Sequence, residues 1–244
     1  MAWIGTSGWS YDHWNGVLYP PGTSSAKRLD VYTAHFDTVE LNGSFYHWPR
    51  AAAFASWHER LPAGFRMSVK APRGLTHARR LRDPDVWIER IAEAWRELGE
   101  NRAVLLVQLR PDDQRRDEQD DARLEDFLAR VPADIRVTVE FRHDSWLDDR
   151  VFEILERHRA AYCVMSGAGL PCVLRAATGF VYLRMHGPDH QHLYAGSYSD
   201  DDLRWWADRI REWEGQGREV YVYFNNDGAG HAVRNADTLR GILA

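Results

Sequence analysis

Phe180-Val181-Tyr182-Leu183-Arg184-Met185-His186 alternates apolar and polar residues without a break. Successive side chains of a β-strand point to opposite faces, so one face carries Val181, Leu183 and Met185 and the other Tyr182, Arg184 and His186. The pattern returns along the chain. Arg136–Arg142 sets Val137, Val139 and Phe141 against Thr138, Glu140 and Arg142. Glu219–Asn225 sets Val220, Val222 and Phe224 against Tyr221, Tyr223 and Asn225. Thr38–Asn42 sets Val39 and Leu41 against Glu40 and Asn42, and Phe65–Lys70 sets Phe65, Met67 and Val69 against Arg66, Ser68 and Lys70. Shorter runs at Trp3–Ser7, Val104–Gln108 and Tyr162–Ser166 bring the strand candidates to eight.

Helical patterns separate most of these strands. Asp83-Pro84-Asp85-Val86 reads as a helix start, with Asp83 as N-cap and Pro84 in the first turn. The amphipathic run continues through Ile88, Ile91, Trp95 and Leu98, and Gly99 is its expected stop. Ser199-Asp200-Asp201-Asp202 opens a second helix whose apolar face is Leu203, Trp206, Ile210 and Trp213. Its acids complement the positive end of the helix dipole. The segment from Ser166 to Gly179 is rich in Gly and Pro and leaves room for a short helix at most. Strand–helix alternation over 244 residues predicts a single-domain α/β protein, a (β/α)8 TIM barrel. No Gly-x-Gly-x-x-Gly follows the first strand, which counts against a dinucleotide-binding sheet, and no cofactor is expected.

In such a barrel the apolar set faces the helices, where no water reaches. The polar set then points inside: Glu40, Arg66, Lys70, Glu140, Arg142, Arg184 and His186. Ordinary barrel interiors are filled by Val, Ile and Leu. Unpaired buried charge is costly. Two carboxylates offset two of the four cations, so a bound phosphate or carboxylate group is the expected balance, for which Arg is well shaped. Arg66, near the start of its strand, is the member expected to reach solvent at the bottom.

Active sites of this fold lie at the C-terminal strand ends. Glu40, Glu140 and His186 are the candidate proton-transfer groups there. Trp9, Asn42, Tyr46, Lys70, Gln108, Arg142, His143, Arg184, Asn225 and Asn226 are the candidate substrate-binding residues. Lys70 reads as an anion clamp, since nearby carboxylates would keep it protonated, and as a Schiff-base nucleophile only if its pKa is depressed. Asn225-Asn226-Asp227-Gly228-Ala229-Gly230 precedes the last helical pattern, a place where barrels hold phosphate and equally an ordinary turn with a cap. His186, His190 and His192 match no zinc spacing, so no metal is expected.

Composition narrows the classes. Charged residues make up 27% and the formal net charge is −5, which disfavours a broad nucleic-acid-binding surface. Cys163 lies in an apolar run and reads as a buried, inert thiol; neither cysteine suggests a disulfide framework, so the cytoplasm is the expected compartment. No N-terminal signal pattern and no membrane-spanning run is present, so no membrane partner is expected. The polar stretch from Pro111 to Asp121 reads as a solvated loop. Of eleven tryptophans, Trp87 and Trp95 fall on a helix pattern, whereas Trp9, Trp14, Trp48 and Trp146 fall in loops where they can stack on a ligand.

These residues resemble the YecE-like family, a domain-of-unknown-function family of barrel proteins. The blocks that carry the resemblance are Ile4-Gly5-Thr6-Ser7-Gly8-Trp9-Ser10-Tyr11, Thr38-Val39-Glu40-Leu41-Asn42 with Ser44-Phe45-Tyr46, Val69-Lys70-Ala71, Val139-Glu140-Phe141-Arg142-His143, Leu183-Arg184-Met185-His186-Gly187 and Tyr221-Val222-Tyr223-Phe224-Asn225-Asn226-Asp227. Gly43 and Trp48 depart from it. The resemblance implies a barrel related in shape to the xylose-isomerase and endonuclease IV group. It implies no reaction. The residues themselves point first to an enzyme acting on a small anionic or phosphorylated ligand. A nucleic-acid-binding or processing barrel, a glycoside hydrolase using Glu40 and Glu140, and a non-catalytic ligand-binding protein remain alternatives.

Overall fold

The computed structural model describes residues 2–244. Eight parallel strands form one sheet: β1 Ala2–Thr6, β2 Thr38–Leu41, β3 Arg66–Lys70, β4 Arg102–Gln108, β5 Val137–Glu140, β6 Ala161–Ser166, β7 Phe180–Met185 and β8 Glu219–Phe224. Hydrogen bonding runs in the order β1-β8-β7-β6-β5-β4-β3-β2, and the sheet rolls into a nearly closed barrel. All eight strands lie where the alternating pattern places them. The helices α1 Arg28–Thr33, α2 Ala51–Arg60, α3 Asp85–Glu97, α4 Glu118–Arg130, α5 Asp149–Arg157, α6 Asp200–Gly215 and α7 His231–Leu243 follow in turn, with no α-helix between β6 and β7.

Closure between β1 and β2 uses a side chain. Among the described residues the ladder contact there is an isolated bridge, Ser7 to Glu40. Below it the Tyr32 hydroxyl of α1 sits between the strands. It accepts from the Thr6 amide at 3.0 Å and donates to the Thr38 carbonyl at 3.0 Å. A buried tyrosine thus satisfies two backbone groups that would otherwise be orphaned. Gly5 permits the close approach, since a Cβ there would fall 2.2 Å from the Thr38 carbonyl oxygen.

The two faces separate as the strand periodicity dictates. Val39, Met67, Val69, Leu105, Val139, Val164, Leu183 and Val222 pack outward in the helix-facing core. A second cluster fills the barrel with Leu106, Ala161, Cys163, Tyr182, Tyr221 and Tyr223. Aromatic rings plug the lower end, where Trp3 stacks on Tyr221 at 6.5 Å and Arg136 covers Phe180 at 4.3 Å. Arg66 lies at this end, half-buried over Trp3 and donating to the Glu100 carbonyl, clear of the inner charges.

Several local expectations are corrected. Asp83 does not cap α3; its backbone is left-handed (φ 44°) and the helix begins one residue later than predicted, at Asp85. Gly99 does end that helix in the left-handed conformation. Ser199 caps α6 in a reciprocal capping box with Asp202, and all four predicted apolar positions are buried. The stretch from Pro111 to Asp121 is not uniformly solvated. Asp113 and Asp121 are buried, the first paired with Arg123 and the second with Arg115. Trp14 and Trp146 are fully buried and offer no stacking surface; the Trp146 indole donates to the Asp113 carbonyl. Among the described residues no helix is long and apolar enough to cross a membrane.

Candidate functional site

Strand alternation delivers Glu40, Glu140 and Arg184 to one level inside the upper barrel, all with no exposed surface. Arg184 bridges both carboxylates. Its Nε and Nη2 hold Glu40 at 3.0 and 2.8 Å, and its Nη1 donates to Glu140 Oε2 at 2.6 Å. Ser7 and Tyr182 donate to the two Glu40 oxygens at 2.5 and 2.7 Å. Each Glu40 oxygen therefore accepts two hydrogen bonds. Arg142 Nε donates to the remaining Glu140 oxygen.

This arrangement fixes charge states. Burial alone would raise the Glu140 pKa, but Arg142 and Arg184 outweigh it and hold the carboxyl well below its usual range. Burial, reinforced by Arg184, pushes the His186 pKa well below its usual value, so the ring is neutral. Its Nε2 lies 3.4 Å from Arg142 Nη2, and its Nδ1 lies 3.2 Å from the Asn225 amide. Arg142 Nη2 and Asn225 Nδ2 are both donors, and a neutral ring has a single acceptor nitrogen, so the ring accepts from only one of them. Burial raises the Cys163 thiol well above its usual pKa, in keeping with an inert thiol.

Two carboxylates and two guanidiniums thus cancel. The surplus positive charge read from the sequence survives, but it resides on Lys70. Lys70 is 7% exposed at the end of β3. Its Nζ lies 4.3 Å from the Phe45 ring centroid, and it joins no ion pair among the described residues. Burial and then Arg184 lower its pKa to about 7, because the carboxylates that favour its charged form are already held by arginines. The buried amide oxygens of Asn42 and Gln108, at the ends of β2 and β4, lack hydrogen-bond partners.

Between the loops that follow β3 and β4 lies a cleft of about 710 Å³, lined by Tyr46, Arg73, His77, Arg110 and Asp112. Phe45 links the two levels, since its ring also packs against His77 at 4.8 Å. Arg110 is held by Asp112. Arg73 is exposed and joins no ion pair among the described residues. Arg73 and His77, which are not among the site residues expected from sequence, lie just before and within a turn of π-helical form, Gly74–Ala78, which breaks the helical period that would have signalled it.

The other predicted site residues scatter. Tyr46 is 68% exposed at the cleft. Trp9 packs edge-on against Trp57. His143 holds a turn through Ser145. Asn226 is buried and binds the Gly196 carbonyl and Asn235, anchoring the loop before α6 to α7. In the turn before α7, a Cβ on Gly230 would meet Val17 at 2.9 Å, so this glycine serves packing. Among the described residues no three His, Cys, Asp or Glu side chains converge as metal ligands, and His190 and His192 remain on an exposed loop.

The sequence model of the family described as "Protein of unknown function DUF72" matches residues 3–244. The chain is a DUF72 protein. This DUF72 chain is 30% identical to the UPF0759 protein YunF of Bacillus subtilis, covering 100% of the chain and 95% of that relative. It is 32% identical to the UPF0759 protein YecE of Escherichia coli over 35% of the chain and 29% of that relative. A DUF72 family protein of Thermotoga maritima superposes with a TM-score of 0.87 at 27% identity, over 100% of this chain and 99% of that one. One from Enterococcus faecalis gives 0.84 at 18% identity, over 100% and 95%, a likeness of fold alone.

Proposed function

We propose that the barrel mouth binds a small anionic, phosphate-bearing molecule as substrate. The observation that carries this reading is the buried, unpaired Lys70 beside an otherwise neutral ion network. An unpaired buried cation is unfavourable, and a bound anion relieves it. Lys70 and Arg142 face the anion, with Arg73 at the rim. The free amide oxygens of Asn42 and Gln108 suit hydroxyl donors on the same ligand, which favours a phosphorylated polyol over a bare ion.

Glu40, Glu140 and Arg184 act in this reading as a rigid support. Each of their carboxylate oxygens already accepts from a buried donor, so in this reading they position Arg142 and His186 and do not touch the ligand. The net charge of −5 weighs against nucleic acid, and the arginine-rich mouth weighs against a neutral glycoside.

A thermal-shift screen tests the proposal with phosphate, sugar phosphates, nucleotides, neutral sugars and short oligonucleotides. A ligand at about 100 times its Kd stabilises the fold by about 2.7 kcal/mol. The expected result is a shift confined to phosphorylated compounds and lost in Lys70→Met. Equal shifts in both proteins, or none in the wild type, would remove the basis of the reading.

A further inference from the structure

Lysine is nearly absent from this chain. Its 31 basic residues are 29 arginines and two lysines, Lys27 and Lys70. Lys27 is exposed just before α1; Lys70 is the lysine inside the barrel. The other cations of the mouth, Arg73, Arg110, Arg142 and Arg184, are guanidiniums. Where only a fixed positive charge is needed, a guanidinium serves well, since it stays charged and grips anions in bidentate fashion. A primary amine differs in one chemical respect: it can release its proton and attack an electrophile.

The surroundings suit that difference. The Lys70 nitrogen lies over the Phe45 ring at 4.3 Å, a contact open to the ammonium form, and no carboxylate pairs with it among the described residues. Phe45 also packs on His77, which lines the neighbouring cleft.

We propose that Lys70 is a Schiff-base nucleophile that condenses with a small aldehyde or ketone bearing an anionic group. The proposal rests on the anion reading above and names the reactive half of the ligand. The nitrogen lone pair attacks the carbonyl carbon, a C–N bond forms, and the C=O π pair moves to oxygen, which takes one amine proton. The C–O bond then breaks. Water leaves with the second amine hydrogen, and a C=N bond remains. A solvent proton on that nitrogen restores the positive charge the ammonium carried, so the anionic group stays paired. With a pKa of about 7, set first by burial and then by Arg184, about half of the amine is unprotonated at neutral pH.

Reductive trapping tests this. The wild-type protein is incubated with dihydroxyacetone phosphate, glyceraldehyde 3-phosphate or pyruvate, treated with borohydride, and analysed by intact mass and peptide mapping. Neutral dihydroxyacetone serves as the uncharged comparison. The expected result is a single adduct on the peptide carrying Lys70, at least about tenfold above that on Lys27. Sulfate should suppress it, Lys27→Arg should retain it, and Lys70→Arg should lose it while keeping the wild-type circular dichroism. No adduct on Lys70 with any of the three probes, or equal labelling of both lysines, would overturn the nucleophile. Sulfate binding measured on the same sample separates the two ideas. Binding without labelling overturns the nucleophile and leaves the anion site standing. Neither binding nor labelling overturns both.

Discussion

Replacing Lys70 with methionine should stabilise this protein, and the gain should depend on pH. Burial first, then Arg184, brings the Lys70 pKa down from 10.5 to about 7. A shift of that size corresponds to roughly 5 kcal/mol at about 1.36 kcal/mol per unit. The sign follows from proton counts. Between pH 7 and 10.5 the unfolded lysine is protonated and the folded one is not, so the unfolded state binds more protons and wild-type stability rises with pH. Below pH 7 both forms are protonated and the full cost of burying the ammonium is present. Methionine does not titrate, fits a similar volume and keeps a favourable contact with the Phe45 ring. Lys70→Met should therefore exceed the wild type by a few kcal/mol, up to roughly 5, at pH 6. The gap should shrink steadily above pH 7 and vanish near 10.5. Urea unfolding at pH 6, 8 and 9.5 reads it directly, because groups common to both proteins cancel in the difference. A gap that does not change with pH, or a variant less stable than the wild type at pH 6, would refute the reasoning.

Three further outcomes follow from the same geometry. Arg184→Met leaves Glu40 and Glu140 without their shared partner and should cost about 3–5 kcal/mol, partly recovered at acid pH as the freed carboxylates protonate; chemical denaturation at pH 7 and 4 checks both. Tyr32→Phe orphans the Thr6 amide and the Thr38 carbonyl at the β1–β2 seam and should cost about 1–3 kcal/mol, with faster amide exchange at Thr6. Exposed Cys172 should react with a thiol reagent in the folded protein, whereas Cys163, with no exposed surface and a raised pKa, should react only after unfolding.

The strands were legible because a period of two is a strong signal wherever both faces of a strand are buried. The same signal placed Glu40, Glu140, Arg142 and Arg184 inside the barrel. Alternation says which face a side chain takes, not which partner it meets. The clamp of Arg184 across two carboxylates therefore lay beyond it, and so did the isolation of Lys70. Reading Lys70 as kept protonated by neighbouring carboxylates failed for that reason: the carboxylates are near but committed to arginines. Tyr32 was missed because α1 is only six residues long, too short to show a periodic face. Trp14 and Trp146 misled because a residue in a loop can still point into the core. Asp113 and Asp121 misled because a run of mixed charge can fold onto itself through Arg123 and Arg115.

The central claim is that a buried amine at the barrel mouth awaits an anion. Calorimetric titration with sulfate at pH 8, in two buffers of different ionisation enthalpy, tests it most directly. Sulfate holds its charge across this range, so any proton taken up on binding belongs to the protein. At pH 8 an amine of pKa about 7 is mostly neutral, and an anion beside it favours the charged form. The expected result is uptake of close to one proton per sulfate bound in the wild type, and neither binding nor uptake in Lys70→Met. Binding with no proton uptake, or binding unchanged in Lys70→Met, would contradict it.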